Sequence, residues 1–471
     1  MRTRLEHALL LAALLSTTAC SLAPTYHAPQ PVLPAHYSDA HGDWLPAAPD
    51  DAHPAHWWTR YADPRLDVLQ GQLEKANPNL AAAVAHYQAA RAAAREVASA
   101  RALQGELSGS TLRQRQSDDR PLRGSGQDDV YDANTLSLGL DLDLDLWGRL
   151  KNLAAAGQAE ARATGDDLAA ARLALQGQLA VQYLALRGLD RQASILGQSL
   201  AAYQQAQDMT QARYDNGIAS ELDLARARHQ LADARAQRDD VLAQRRLLEH
   251  AIAELLGQDA ARFQIAADNS LPALPEVPAE LPSTLLQRRP DIAAAERRLF
   301  AANAGIGAAR AAWLPDLNLS ALVGGQTAGS GSLFSAGNRI WALGPLASLP
   351  LLDGGRRHAA EKAAHAEFDE ASAHYKAAVL HALREVEDPL GQLQDLKTEA
   401  GDQDDATHAA EQARQLAQNS YQSGAVSYLD VIDAQTAALQ AQLHSQLLQT
   451  RRLQASAQLL VALGGDWHTA H

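Results

Sequence analysis

The chain has 471 residues, a formal net charge of −14, 46% hydrophobic residues but only 5% aromatic ones, and one cysteine. The charge argues against nucleic acid as a partner, and a lone cysteine rules out an internal disulfide framework. Alanine dominates the apolar content. Such a chain cannot build a thick globular core, but it suits long helices packed side by side at close range.

Residues 1–19 read as a secretory signal peptide: Arg2 and Arg4, an apolar run from Ala8 to Leu15, then small residues. The run is too short to span a bilayer as a helix, and no later stretch reaches 18 uninterrupted apolar residues. The signal ends at Cys20, which has no other thiol to pair with, so lipidation of Cys20 as the mature N-terminus is expected. The junction resembles a bacterial lipobox, with Thr17 where leucine is usual. Ser21, rather than aspartate, follows the cysteine, a pattern that in lipoproteins goes with the outer membrane. Residues 20–75 then read as a Pro-rich N-terminal segment in which His27, His36, His41, His53 and His56 have no fixed ligand geometry.

From residue 76 the chain reads twice. "NPNLAAAVAHYQAARAAAREVASAR" from Asn77 aligns with "RPDIAAAERRLFAANAGIGAARAAW" from Arg289, and "YDNGIASELDL" from Tyr214 with "YQSGAVSYLDV" from Tyr421. "DLWGRLKNLAAAGQAEA" from Asp145 answers "LDGGRRHAAEKAAHAEF" from Leu352, in the same order. The copies span 76–270 and 289–465, joined by a Pro-rich linker at 271–288 and followed by a tail at 466–471. Each predicts a helix of about 25 residues, a strand, a Gly/Ser/Asp-rich loop and a second strand. A helical stretch of about 65 residues follows, ~100 Å if continuous, then a tight Gly turn and another helix. Gly165, Gly177, Gly188 and Gly197 predict possible breaks in the first long helix.

The strands are expected at 105–116, 134–147, 315–325 and 338–350. In "NTLSLGLDLDLDLW" (Asn134 to Trp147), leucine occupies every second position from Leu136 to Leu146, with Asp141, Asp143 and Asp145 between. A period of two is a strand period with one apolar and one acidic face. Eleven alternating residues fit a transmembrane strand, leucines to lipid and the three aspartates to a water-filled lumen. Calcium binding by Asp141-x-Asp143-x-Asp145 is rejected, because an EF-hand loop needs Gly and Glu where this chain has Leu146 and Asn152. Four strands cannot close a barrel, since about eight are needed and an open edge in lipid is forbidden. Other copies must complete it: a dimer would give eight strands and a trimer twelve.

The Gly turns at Asn216-Gly217 and Ser423-Gly424 read as helix stops, with Ser220 and Ser427 capping the next helix. Asp430 and Asp433 are spaced i, i+3 and share one helix face. Asp430 fits two readings. It can complete a capping pattern with Ser427, as Asp223 does with Ser220, or it can join Asp433 in stacked carboxylate rings. Asp433 has no capping role, and its first-copy counterpart is Arg226. His358, Glu361 and His365 share a helix face, but scattered histidines on a solvated helix are the better account, and no metal site is assigned. No nucleophile–His–acid constellation, phosphate loop or CxxC pair appears, so neither catalysis nor a cofactor is expected.

Several blocks in order resemble a known family. "HWWTRYADPRLDVL" (His56 to Leu69), "RRPDIAAAERRL" with "NAGIGAARAAWLPDLNLSA", "PLLDGGRR" and "YQSGAVSYLDVIDAQ" are similar to those of TolC-type outer membrane factors, in the NodT-type lipoprotein branch of tripartite efflux systems. The resemblance implies a mixed α and β membrane protein: a homotrimer with a twelve-stranded β-barrel, four strands per chain, continued by a long periplasmic α-helical barrel. It also implies a passive duct for small toxic compounds, opened by a periplasmic adaptor protein and driven by an inner-membrane RND-type pump. Asp430 and Asp433 would lie at the periplasmic constriction, and the turns with Gly217, Ser220, Gly424 and Ser427 would meet the adaptor. Val426 stands where some relatives carry a latch arginine. The rival readings are a protein-secretion channel of the same architecture and a structural coiled-coil surface protein.

Overall fold

A computed structural model describes residues 21–29, 56–117, 128–275, 289–329 and 331–465. Cys20, the signal peptide, most of the N-terminal segment, the linker from 276 to 288 and the tail at 466–471 lie outside the described residues. The chain divides into two compact units: one takes in 21–29, 86–165 and 294–376, the other 56–85, 166–293 and 377–465.

Helices and strands follow in the order α1 (Pro64–Ala76), α2 (Pro78–Ser99), β1 (Gln104–Arg115), β2 (Val130–Asp143), α3 (Arg149–Asp215) and α4 (Glu221–Leu255). The second copy supplies α5 (Pro290–Ala311), β3 (Asp316–Ala328), β4 (Arg339–Ser348), α6 (Arg356–Gln422) and α7 (Tyr428–Ala462). The repeat is thus carried element by element.

The first unit holds one antiparallel sheet in the order β1-β2-β3-β4. Residues paired across an antiparallel ladder share a face, so the register sorts the side chains. Leu107, Leu138, Val323 and Trp341 form one row across all four strands, and Gly105, Leu140, Ala321 and Leu343 form the next. This face is apolar and open: Leu107 is 70% exposed and Trp341 77%. The opposite face carries Gln104–Asp141–Ser320, Ser108–Ser137 and Thr135–Gln326. The outer edges of β1 and β4 pair with no other described strand.

β2 ends at Asp143, four residues before the sequence pattern ends. The Leu/Asp alternation continues, but the backbone does not. Leu144 donates one last cross-strand bond to the Leu317 carbonyl, 2.9 Å, and Asp145 then turns left-handed at φ 43°. Its carboxylate accepts from the Leu150 and Lys151 amides at 2.8 and 2.7 Å, satisfying orphan donors at the start of α3. The demand for a helix cap outweighs the strand pattern here. Asp353 does the same for α6, taking the Arg357 amide at 3.2 Å.

Each long helix runs 67 residues unbroken. Gly177 and Gly188 therefore mark close approach rather than breaks, whereas Gly197 has open space where a Cβ would stand. A Cβ at Gly177 would come within 2.7 Å of Val461, and one at Gly188 would collide with Thr450. In the second unit α3, α4 and α7 meet around Ile195, Leu196, Tyr203, Leu231 and Leu439. This unit also includes the end of the Pro-rich N-terminal segment, which is folded from residue 56 onward. A short 3-10 turn, Trp57–Tyr61, buries Trp57, Trp58 and Tyr61, and Asp63 caps α1 through the Arg65 and Leu66 amides. The segment after α4 is strapped down by charge. Arg187 reaches Asp268 at 2.7 Å and the Ser270 carbonyl at 2.8 Å, and the Asp268 amide donates to Asp190 at 3.2 Å.

Candidate functional site

The two Gly turns share one geometry. Gly217 and Gly424 have φ values of 72° and 78°, which side chains avoid. Gly217 N and Ile218 N donate to the Tyr214 and Arg213 carbonyls at 2.9 and 2.8 Å, while Gly424 N and Ala425 N donate to the Tyr421 and Ser420 carbonyls at 3.0 and 2.8 Å. These bonds satisfy the last carbonyls of α3 and α6. Both following helices open with a capping box. The Ser220 and Ser427 amides donate to the carboxylates of Asp223 and Asp430 at 3.4 and 2.9 Å. Ala227, Tyr428 and Val431 pack together next to these turns, and the Arg213 guanidinium lies 4.9 Å from the Tyr421 ring centre.

The structure separates the two tip aspartates. The Asp430 carboxylate accepts the Ser427 hydroxyl at 2.7 Å as well as its amide. These bonds, the hydroxyl's first, lower its pKa below the ordinary aspartate value. Asp430 therefore caps α7. Asp433, one turn further on, is exposed. Its counterpart Arg226 pairs with Asp223 at 3.9 Å.

The three aspartates expected along the lumen also separate. Asp141 stays on the polar face and accepts a hydrogen bond from Ser320 Oγ. Asp143 closes the strand, pairs with Arg149 at 2.9 Å and accepts the Asp145 amide at 2.8 Å. Asp145 has left the sheet to cap α3, so its place in the lumen-facing set is corrected. Of the histidine group, Glu361 is engaged with Arg310 at 3.3 Å and Trp313 Nε1 at 3.1 Å, and His365 lies 3.4 Å from Arg310.

One charged centre was missed. Arg289 is nearly buried and donates to Asp291 at 3.0 and 2.7 Å, to Glu385 at 2.6 Å and to the Ala462 carbonyl at 3.1 Å. Burial opposes its charge, but the two carboxylates outweigh burial and raise its pKa. "RRPD" was legible as a marker, yet its partner Glu385 lies 96 residues away with no local signal.

Each copy thus contributes two strands to the two-faced sheet and one capped, left-handed turn. The model of the family described as "Outer membrane efflux protein" matches residues 69–258 and 281–465, one segment for each copy. The chain belongs to this family. It is 33% identical over 463 residues to outer membrane protein OprJ of Pseudomonas aeruginosa, covering 98% of this chain and 95% of that one. To the cation efflux system protein CusC of Escherichia coli it is 31% identical over 460 residues, covering 96% and 97%. Among solved structures, a membrane protein from Pseudomonas aeruginosa aligns with TM-score 0.87 and 31% identity over 95% of this chain and 98% of that one. VceC of Vibrio cholerae aligns with TM-score 0.80 and 30% identity over 88% and 99%. Family members are trimeric outer membrane channels that work with efflux pumps. The protein is an outer membrane efflux channel that extends into the periplasm; it is a transport duct and not an enzyme.

Proposed function

We propose that three copies of this chain close a twelve-stranded barrel and line one passive export duct. The observation that carries this reading is the sheet. Its apolar face is open on all four strands, and the outer edges of β1 and β4 are unpaired, a state lipid does not tolerate. Pairing β1 of one copy with β4 of the next removes every edge.

Asp141 then faces the lumen. Three Asp433 carboxylates, with no capping duty, converge at the periplasmic mouth and favour cations there. Asp430 holds the start of α7 in place so that Asp433 is correctly presented. The turns at Gly217–Ser220 and Gly424–Ser427 are the contact surface for a periplasmic adaptor, and an inner-membrane RND-type pump supplies the energy. Relatives named for cation, toluene and solvent efflux support small toxic compounds as cargo.

Lipidation of Cys20 fits the neighbouring segment. Ser21 Oγ donates to Asn152 at 2.8 Å, and Asn303 donates to the Pro24 carbonyl at 2.9 Å. These contacts hold the chain beside the first turn of α3, close in sequence to the end of β2. Mass spectrometry of the mature N-terminus should find acyl chains on Cys20; cleavage elsewhere with an unmodified thiol refutes it. Planar-bilayer recording of the purified protein tests the duct itself. Cation-selective conductance from a trimer is expected, and absence of any conductance, with the adaptor also supplied, overturns the reading.

A further inference from the structure

The second unit contains an open cavity of about 720 Å³ that the duct does not require. Its floor is apolar, formed by Leu173, Ala174 and Val181 of α3 and Val461 of α7. Its other wall is made of acceptors. Asp291, Glu385 and Asp388 line it against a single guanidinium, Arg289, and Arg289 is already committed to Asp291, Glu385 and the Ala462 carbonyl. His381 is held by Glu385 at 2.9 Å.

One further acceptor is unpaired among the described residues, and another loses its usual helical donor. Pro389 lies inside α6 and has no N–H to offer the Glu385 carbonyl four residues back, and both residues line the cavity. Gln182, another lining residue, has a buried Oε1 with no hydrogen-bond partner among the described residues. Asp388 is paired with Arg384, at 3.2 Å, in a bridge more than half exposed on both sides. Exposed pairs of this kind hold their partners weakly.

Among the described residues, an anion entering this cavity meets carboxylates and no uncommitted cationic group. A neutral apolar molecule leaves the acceptors unpaired. A volume near 700 Å³ is in the usual range for a small-molecule site of a few hundred to about 1,000 Å³. We propose that the cavity binds an amphipathic organic cation. Its positive head sits against Asp388 and the Glu385 carbonyl, and its apolar body lies along Leu173, Val181 and Val461. The site is in the wall formed by α3, α6 and α7, separate from Asp433, so the duct can hold a cationic ligand without obstruction of its constriction.

Ethidium, a planar organic cation whose fluorescence rises in apolar surroundings, is a suitable probe for the purified assembled protein. Saturable binding at one ethidium per chain is expected. Asp388→Asn should weaken it about threefold. Ala174→Phe, at an exposed position that fills the cavity, should weaken it by about tenfold or more. Asp433→Ala should leave ethidium affinity unchanged while altering conductance, which keeps this site distinct from the pore. Failure of wild-type protein to bind saturably overturns the proposal. So does binding that survives Ala174→Phe but is lost in Asp433→Ala, since the cation would then be in the lumen. Absence of binding together with trimer dissociation in Ala174→Phe, read on a semi-native gel, would assign the cavity to a neighbouring copy instead.

Discussion

Leu140→Arg and Asp141→Arg place the same side chain one residue apart on β2, and the register says they must behave differently. The rows of the lipid-side face run from Leu317 to Gly325 on β3, the last of them ending at Arg339 on β4. Those eight steps of about 3.3 Å make ~26 Å along the strand, or ~20 Å of membrane height at a tilt of about 40°. Leu140 is in the middle row, in register with Gly105 and Ala321, with Leu343 beyond. An arginine there meets lipid near the midplane and costs about 2–4 kcal/mol. At about 1.36 kcal/mol per tenfold, that is roughly 30- to 900-fold in the folding equilibrium of each chain. Such a loss is a large share of the ~5–15 kcal/mol that holds a typical domain together. The Asp141 variant loses only the hydrogen bond from Ser320 on the polar face. Heat-modifiable trimer in the outer membrane fraction, scored by semi-native electrophoresis, should fall sharply for Leu140→Arg and stay near wild type for Asp141→Arg. Equal assembly of the two variants, or failure of Asp141→Arg alone, would show that the faces are assigned the wrong way round.

Asp433→Ala should reduce cation selectivity and divalent-cation block in bilayer recordings with no loss of trimer, whereas Asp430→Ala should loosen the start of α7 and leave selectivity nearly intact. An unchanged current–voltage relation in the double variant removes the constriction from these residues. Gly188→Ala should destabilise despite a gain of about 1 kcal/mol in helix propensity, because overpacking against buried Thr450 costs about 1–3 kcal/mol. Gly197→Ala, where a Cβ meets no described atom within 4 Å, should gain about 0.5–1 kcal/mol instead. Thermal dissociation of the two variants decides this. Asp268 is held at a pKa of about 2, first by the Ser270 amide and then by Arg187. Its native pKa is below the ordinary aspartate value of about 3.9, so its contribution is complete above pH ~4 and disappears as pH falls through about 2. Exchange protection of residues 265–270, corrected for intrinsic rates, should weaken across that window. Asp268→Asn should flatten the profile, and an unaltered profile in that variant would contradict the clamp.

The sequence made legible whatever depends on periodicity or on short local patterns. Helix starts and stops announced themselves through Ser220, Ser427, Gly217 and Gly424, because a cap involves residues only a few positions apart. The strand faces followed from a period of two. What was not legible depends on partners far along the chain or on two local signals in conflict. Asp145 carries both a strand pattern and a helix-cap role, and nothing in "DLDLDLW" says which prevails; the backbone resolves it in favour of orphan amides at the start of α3. Gly177 and Gly188 look like breaks until Val461 and Thr450 are seen pressed against them. Arg289 has its decisive partner on α6, where only folding brings Glu385 beside it. The aromatic cluster of Trp57, Trp58 and Tyr61 stands out in the sequence, yet the Pro- and His-rich residues before it give no sign of its burial.

Differences between the two copies separate scaffold from function more sharply than either copy alone. Both keep the long helix of 67 residues, the left-handed glycine and the capping box; these are what the fold demands at each turn. They part company at a few positions. The first copy places Arg226, tied to Asp223, where the second places the exposed Asp433. The first copy uses glycines in its long helix to admit α7 at close range, whereas the second interrupts its backbone bonding with Pro389 beside the Arg289 centre. A duct built of two identical halves would carry the same charge on every tip helix and the same wall throughout. This one can have a negative constriction supplied by one helix of each pair, with the other helix held neutral by its own ion pair, because the repeat fixes the positions while the side chains at those positions remain free to differ.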